Sequence, residues 1–466
     1  MKRLIFVLAA TAMAVAMCPV VAMTIPAMAD PAATTTTITL KPAAGPPTTA
    51  VTVTGTGFRS GETVNVDFDN ALAARAVTSA GGSFSAAFTV PAAARPGRHT
   101  VTASGRASNL SASAFFRVRT NWAKFHRNDR NSGYNPYENV LSPANVSGLT
   151  KAWSYTTGGD IDFSSPAVVN GVVYVGSDDG RVYSLTASTG AKRWSYPTGN
   201  GVNSSPAVAN GIVYVGSFDQ HVYALKASTG AKLWSYHTGG YVNSSPAVAN
   251  GVVYVGSGRG GVYALNAATG AKLWSHPTGG SVDSSPAVVN GVVYVGSYSG
   301  IYALKASTGA KVWLRRTSGS VNSSPAVVHG VVYAGSEDGS VYALKASTGA
   351  KLWSYPTGSS VYSSPAVVHG VVYVGSYDGN IYALSAATGA KLWSYPTGSG
   401  VASSPAVANG VVYAGSEDDF IYALNAATGA KLWSYPTGNQ VLSSPAVANA
   451  VVYAGSADGN LYAFHL

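Results

Sequence analysis

The chain predicts an all-β fold: an eight-bladed β-propeller of four-stranded blades, closed by an N-terminal outer strand and preceded by a small immunoglobulin-like β-sandwich. Three observations carry this. One unit recurs eight times from residue 151 onward, with Trp153, Trp194, Trp234, Trp274, Trp313, Trp353, Trp393 and Trp433 spaced 39–41 residues apart. Each unit holds four strand signals divided by turn residues, the content of one propeller blade. The composition, with 53 Gly and only 10% charged residues, is poor material for amphipathic helices.

Residues 1–29 read as a secretory signal peptide. Lys2 and Arg3 precede a mostly apolar stretch from Leu4 to Ala22, and Ala27-Met28-Ala29 forms an A-x-A cleavage site before Asp30. All five Met and the single Cys18 lie in this segment. The exported chain is therefore expected to have no disulfide, thiol nucleophile or thiolate metal site. No later stretch is long and apolar enough to span a bilayer, so the protein is expected to be secreted or wall-associated rather than integral to a membrane.

Residues 35–120 alternate apolar and polar positions in T-I-T-L, A-V-T-V-T-G, T-V-N-V-D-F, F-S-A-A-F-T-V, H-T-V-T-A and A-F-F-R-V. Six or seven short strands in this length predict an immunoglobulin-like sandwich. Residues 121–150 form a connector with Trp122, Phe125, Tyr134 and Tyr137. It is too aromatic for a free linker and is expected to pack on the propeller of residues 151–466.

Within a blade, S-S-P-A-V is short and carries a Pro, which suits the innermost edge strand. V-V-Y-V-G-S is the β-branched, aromatic pattern of a buried strand, entered through Asn-Gly, the strongest short hairpin signal. V-Y-A-L is the third strand and K-L-W-S-Y the outer one. The Lys that opens the outer strand recurs at Lys151, Lys192, Lys232, Lys272, Lys311, Lys351, Lys391 and Lys431, and a cation on an exposed edge strand blocks edge-to-edge pairing. The repeats begin with an outer strand (Lys151 to Thr156) and end with a third strand (Leu461 to Leu466). Joining the two closes a ring of eight and removes both open edges.

The net charge is +10, but no basic patch with interleaved aromatics marks a nucleic-acid site. The acidic turns, such as Asp178-Asp179-Gly180 and Glu337-Asp338-Gly339, lack the ligand spacing of a compact calcium loop and read as hairpin chemistry. His329 and His369 replace Asn in neighbouring turns and offer two metal ligands without a third.

Ala224 to Trp234, A-L-K-A-S-T-G-A-K-L-W, resembles the tryptophan-docking motif of pyrroloquinoline-quinone (PQQ) propellers, A-x-D-x-x-T-G-x-x-x-W. The resemblance recurs in the other units, covers about two thirds of the chain, and implies that each indole packs on the next blade. The motif's Asp is replaced by Thr186, Lys226, Asn266, Lys305, Lys345, Ser385 and Asn425. Gly55 to Val64, G-T-G-F-R-S-G-E-T-V, resembles the opening of bacterial IPT/TIG-type domains. Quinoprotein dehydrogenases of this blade type use a vicinal Cys pair, calcium held by Glu and Asn, and a catalytic Asp. No such set can be carried over to this chain, which looks like the family's scaffolds, such as the outer-membrane assembly lipoproteins, and its sensor domains.

No cofactor, metal or catalytic residue is expected. The expected function is that of an exported, monomeric binding and scaffolding propeller with a protein or cell-envelope ligand. Its rivals are a PQQ/calcium dehydrogenase and a spacer without ligand. Strand direction puts a variable residue at the channel mouth in each blade: Phe163, Asn203, Asn243, Asp283, Asn322, Tyr362, Ala402 and Leu442. Four adjacent blades supply polar groups and four supply apolar or aromatic ones, a rim suited to an amphipathic ligand.

Overall fold

Eight antiparallel four-stranded blades follow one another in the computed structural model, which describes residues 35–466, and the connector strand Tyr134–Asn135 adds in parallel to the inner edge of blade 7. The signal-peptide reading of residues 1–29 lies outside the described residues. Blade 1 runs from its inner strand Ala167–Val169 through Val172–Ser177 and Arg181–Thr186 to the outer strand Lys192–Pro197. Blades 2 to 7 repeat it, their outer strands carrying Trp234 to Trp433. Blade 8 is the closing seam: Thr150–Thr156 pairs antiparallel with Asn460–His465 and becomes its outer strand.

The turns explain why the hairpins form where they do. Asn170 and Gly171 have φ of 55° and 80°, the left-handed pair a type I′ turn requires. His329 and His369 hold the same left-handed conformation at 49° and 47°, as substitutes for Asn. Blade 8 alone has Ala450 in the second position, at φ 64°. Its N–H donates to the buried Glu138 carboxylate at 3.2 Å.

The inner strand is shorter than the sequence pattern implies. It starts at the Ala after each Pro, as in Ala207–Ala209, because Pro has no N–H to give the ladder. The two preceding serines turn across the channel and bond sideways. Ser165 N–H donates to Ser205 Oγ at 2.9 Å, and the same bond passes from blade to blade until Ser444 N–H reaches Ser165 Oγ at 3.1 Å. The result is a closed hydrogen-bonded circle around the axis.

The tryptophans dock between blades. Trp194 Nε1–H donates to the Ala227 carbonyl of the next blade at 2.9 Å, and the Tyr174 hydroxyl donates to the same oxygen at 3.3 Å. Gly230 lies beneath that indole with φ 75° and has no room for a side chain, since a Cβ there would stand 2.7 Å from Trp194 Cε3. The Thr-Gly of the repeat is thus fixed both by its turn and by its neighbour's ring. At the seam Trp433 donates to the Leu149 carbonyl instead, at 3.0 Å.

The sandwich has a three-stranded sheet (Thr37–Lys41, Ala50–Thr56, Phe84–Thr89). It faces a five-stranded one (Ala44–Gly45, Ser111–Val118, Gly97–Gly105, Thr63–Phe68, Ala71–Val77). Val53, Val64, Val66, Val101 and Phe116 fill the space between them. Ala71–Val77 gives no alternating signal in the sequence. It forms because Asp69 and Asn70 both take positive φ, 47° and 68°, and fold it back on Thr63–Phe68.

The connector does more than rest on the propeller: it threads the axis. Trp122 exchanges two 2.8 Å bonds with Val168, and the carbonyls of Ala123, Asp129, Arg130, Ser132 and Gly133 accept from Val208, Val288, Val327, Val367 and Val407. Asn135 Nδ2 then reaches the Val447 carbonyl at 2.9 Å. Inner strands would otherwise expose a row of unpaired N–H groups to the channel; the connector supplies main-chain acceptors to six of the eight.

Candidate functional site

The fourth-to-first connections and the Asp-Gly turns meet at one end of the ring, and there the eight rim residues come together. Phe163, Asn203, Asn243, Asp283, Asn322, Tyr362, Ala402 and Leu442 all line one cup on the axis. Its wall below them is the serine circle, and Phe125 of the connector joins the lining. The connector and the serine circle are the parts of the site that sequence reasoning missed.

The cup has a volume of about 190 Å³, room for one long side chain or about six waters at ~30 Å³ each. Its chemistry is acceptor-rich. Asn203 Oδ1 and Asp283 Oδ1 are buried without a hydrogen-bond partner in the protein. Burial holds the Asp283 carboxyl above the ordinary carboxylate range; the Ser281 and Tyr241 hydroxyls oppose the shift and the Glu337 charge adds to it. Asn322 Nδ2 donates to Glu337 Oε1 at 2.8 Å. Tyr362 meets Tyr377 edge-to-face with centroids 4.9 Å apart. The apolar half of the rim exposes Phe163 to 43%.

A second acidic group flanks Phe163. Burial, then the charges of Asp178 and Asp160, raise Asp162 to about 6. A carboxyl whose folded pKa lies above its unfolded value favours the folded state at low pH and loses that advantage as pH rises through the folded pKa. Asp162→Asn is therefore expected to stabilise the protein at pH 8, where solvent screening at this partly exposed site keeps the gain to about 1 kcal/mol, and to change little at pH 4. Denaturant titrations at the two pH values measure this; equal effects at both would contradict it.

Six carboxylates in the turns between second and third strands are occupied as blade clamps. Asp219 accepts from His221 N–H at 3.0 Å, the Tyr223 hydroxyl at 2.7 Å and, across the blade boundary, Gly199 N–H at 2.6 Å. Asp179, Asp338, Asp378, Asp418 and Asp458 bond likewise. Among the described residues no three His, Cys, Asp or Glu side chains are gathered as a metal site. His369 instead packs edge-on against Tyr134 of the connector, centroids 5.4 Å apart. Burial brings His126 of the connector down to about 4, so it stays neutral at pH 7.

The cup does not fit PQQ with calcium. PQQ is a rigid tricyclic tricarboxylate, whereas the lining has no Lys or Arg and one carboxylate, Asp283. The volume also falls below the roughly 300–1,000 Å³ of ordinary small-molecule sites.

Comparisons with known proteins place the fold. Solved structures similar to the chain include a europium-containing methanol dehydrogenase (18% identity, 74% of this chain and 98% of that one, TM-score 0.65). They also include BamB from Moraxella catarrhalis (23%, 68% and 100%, 0.59) and a quinohemoprotein alcohol dehydrogenase from Comamonas testosteroni (18%, 74% and 80%, 0.64). No curated protein matches the sequence. Residues 33–118 match the profile of the macroglobulin-like domain, in keeping with the immunoglobulin-like sandwich. Residues 145–355 and 337–466 match a PQQ-repeat profile described as outer membrane protein assembly factor BamB, and by that match the chain belongs to this family.

Proposed function

We propose that the protein is an exported, non-enzymatic scaffold whose acidic mouth captures another extracytoplasmic protein, with a Lys or Arg side chain of that partner entering the cup. The cup carries the reading: it is side-chain sized, acceptor-lined, free of cations, and contains two buried acceptors without partners. A cation donating to Asn203 and Asp283 satisfies both. Around it Tyr298 (67% exposed), Phe163 and Tyr377 (37%) present aromatic surface of the kind that anchors protein interfaces. Membership of a family with a membrane-assembly factor supports a scaffolding role.

The test is capture from the native envelope fraction. Replacing Asn243, Asp283 and Tyr362 together with Ala is expected to reduce recovery of the partner about tenfold or more, the size expected for interface anchors. Substituting the Asn-Gly turns at the opposite end is expected to leave capture intact, and loss only from that second variant would mean the wrong face was chosen. Incubation with PQQ and calcium is expected to give neither retained cofactor nor dye-linked alcohol oxidation; stoichiometric PQQ retention would overturn the non-enzymatic reading.

A further inference from the structure

The two ends of the propeller carry opposite charge. From Lys151 onward every one of the thirteen acidic residues lies at the mouth, in a turn between second and third strands or a connection between blades. Within residues 151–466 the opposite end has no acid and twelve exposed cations: the eight lysines that open the outer strands, with Arg193, Lys226, Lys305 and Lys345; the connector adds two acids there, Asp129, 3.6 Å from Lys124, and the buried Glu138. Edge protection does not account for this. Lys226, Lys305 and Lys345 end third strands, which are not edges.

Apolar side chains accompany these cations. In each blade the ladder between third and outer strands slips by one residue at the second position of the outer strand, a β-bulge, which re-aims the side chain it holds. In blades 2 to 6 that residue is Leu233, Leu273, Val312, Leu352 and Leu392, each 42–55% exposed beside its Lys. In blade 7 it is Leu432, half-buried against the core, and in blades 8 and 1 it is Ala152 and Arg193. There the sandwich approaches the same end, with Gly97 and Arg117 lining a cleft shared with Asn170 and Asn449. The apolar bulges thus lie on the arc the sandwich leaves open.

We infer that this arc is a docking surface for an anionic lipid bilayer: the lysines bind headgroup phosphates while the bulged leucines enter the interface. Cations alone would suit any polyanion. Leucines at their side add apolar contact that a bilayer interface rewards and a soluble polyanion does not. The inference is independent of the partner proposed for the mouth.

Flotation with vesicles tests it. The purified protein is expected to float with vesicles of equal phosphatidylglycerol and phosphatidylcholine but not with phosphatidylcholine alone. Raising salt from about 50 to about 500 mM is expected to weaken binding about tenfold or more. Changing Lys232, Lys272, Lys351 and Lys391 to Glu keeps a charged edge and is expected to abolish flotation. Changing Leu233, Leu273, Leu352 and Leu392 to Ser is expected to weaken it several-fold while leaving polyphosphate binding unchanged. Thermal melts confirm that both variants are folded. Equal flotation with both vesicle types, or indifference of flotation to either variant, would overturn the inference. Polyphosphate binding with no leucine dependence of flotation would replace the bilayer by a soluble polyanion.

Discussion

Deleting Leu149 to Gly158 is expected to lower Tm by about 10 °C or more and to drive aggregation. The deletion uncovers Asn460–His465, which pairs with Thr150–Thr156 at six positions, and leaves a flat unpaired edge. It also removes the acceptor of the Trp433 indole and the donor at Trp153, which bonds the Ala187 carbonyl of blade 1 at 3.0 Å. Both seams flanking blade 8 open together, so the loss spreads through the neighbouring repeats. Melting curves with light scattering measure this; an unchanged Tm with monomeric behaviour would rule out closure by this strand.

Asn131→Asp is expected to cost about 3 kcal/mol or more at pH 8. Asn131 is fully buried at the axis, and its Nδ2 donates to the Ser285 and Pro325 carbonyls at 3.3 and 3.2 Å. The substitution keeps shape and tolerates the same left-handed backbone, φ 51°, but sets a carboxylate against two carbonyl oxygens. Burial among acceptors raises the folded pKa of the new acid. The folded state then binds the proton more tightly, so the cost is smaller at pH 5, where the neutral acid donates one bond, and grows as pH rises. Denaturant titrations at pH 5 and pH 8 provide the check. An equal cost at both would show that the connector's grip does not rest on those two bonds.

The propeller was legible because its signals are local: Asn-Gly and Thr-Gly turns, β-branched strands and a Trp at fixed spacing all lie within one 40-residue unit. Closure followed from counting strands at Lys151 and Leu461. The rim residues followed from strand direction alone, and they do line one cup. The connector's path was not legible. Trp122 to Asn135 has no period of its own, and its bonds go to inner strands spaced by the ring rather than by the sequence. The serine circle was hidden for a related reason. The partner of Ser165 is its own equivalent in the next unit, so comparing repeats shows the residue and conceals the bond. Ala71–Val77 was missed because alanines give no amphipathic alternation and its Asp-Asn turn lacks the glycine that usually marks such hairpins.

The blades are nearly interchangeable, and the circle of serine bonds is the same at every boundary, so neither would distinguish a ring of eight from one of seven or nine. Tandem copies this alike invite gain or loss of a unit when the gene is replicated. The thread through the axis works against that. Its acceptors are set at unequal intervals along the chain, at residues 122, 123, 129, 130, 132 and 133, and each meets one particular blade. The segment from Trp122 to Asn135 thus acts as a ruler, and a chain that had lost or gained a repeat would find its marks out of step.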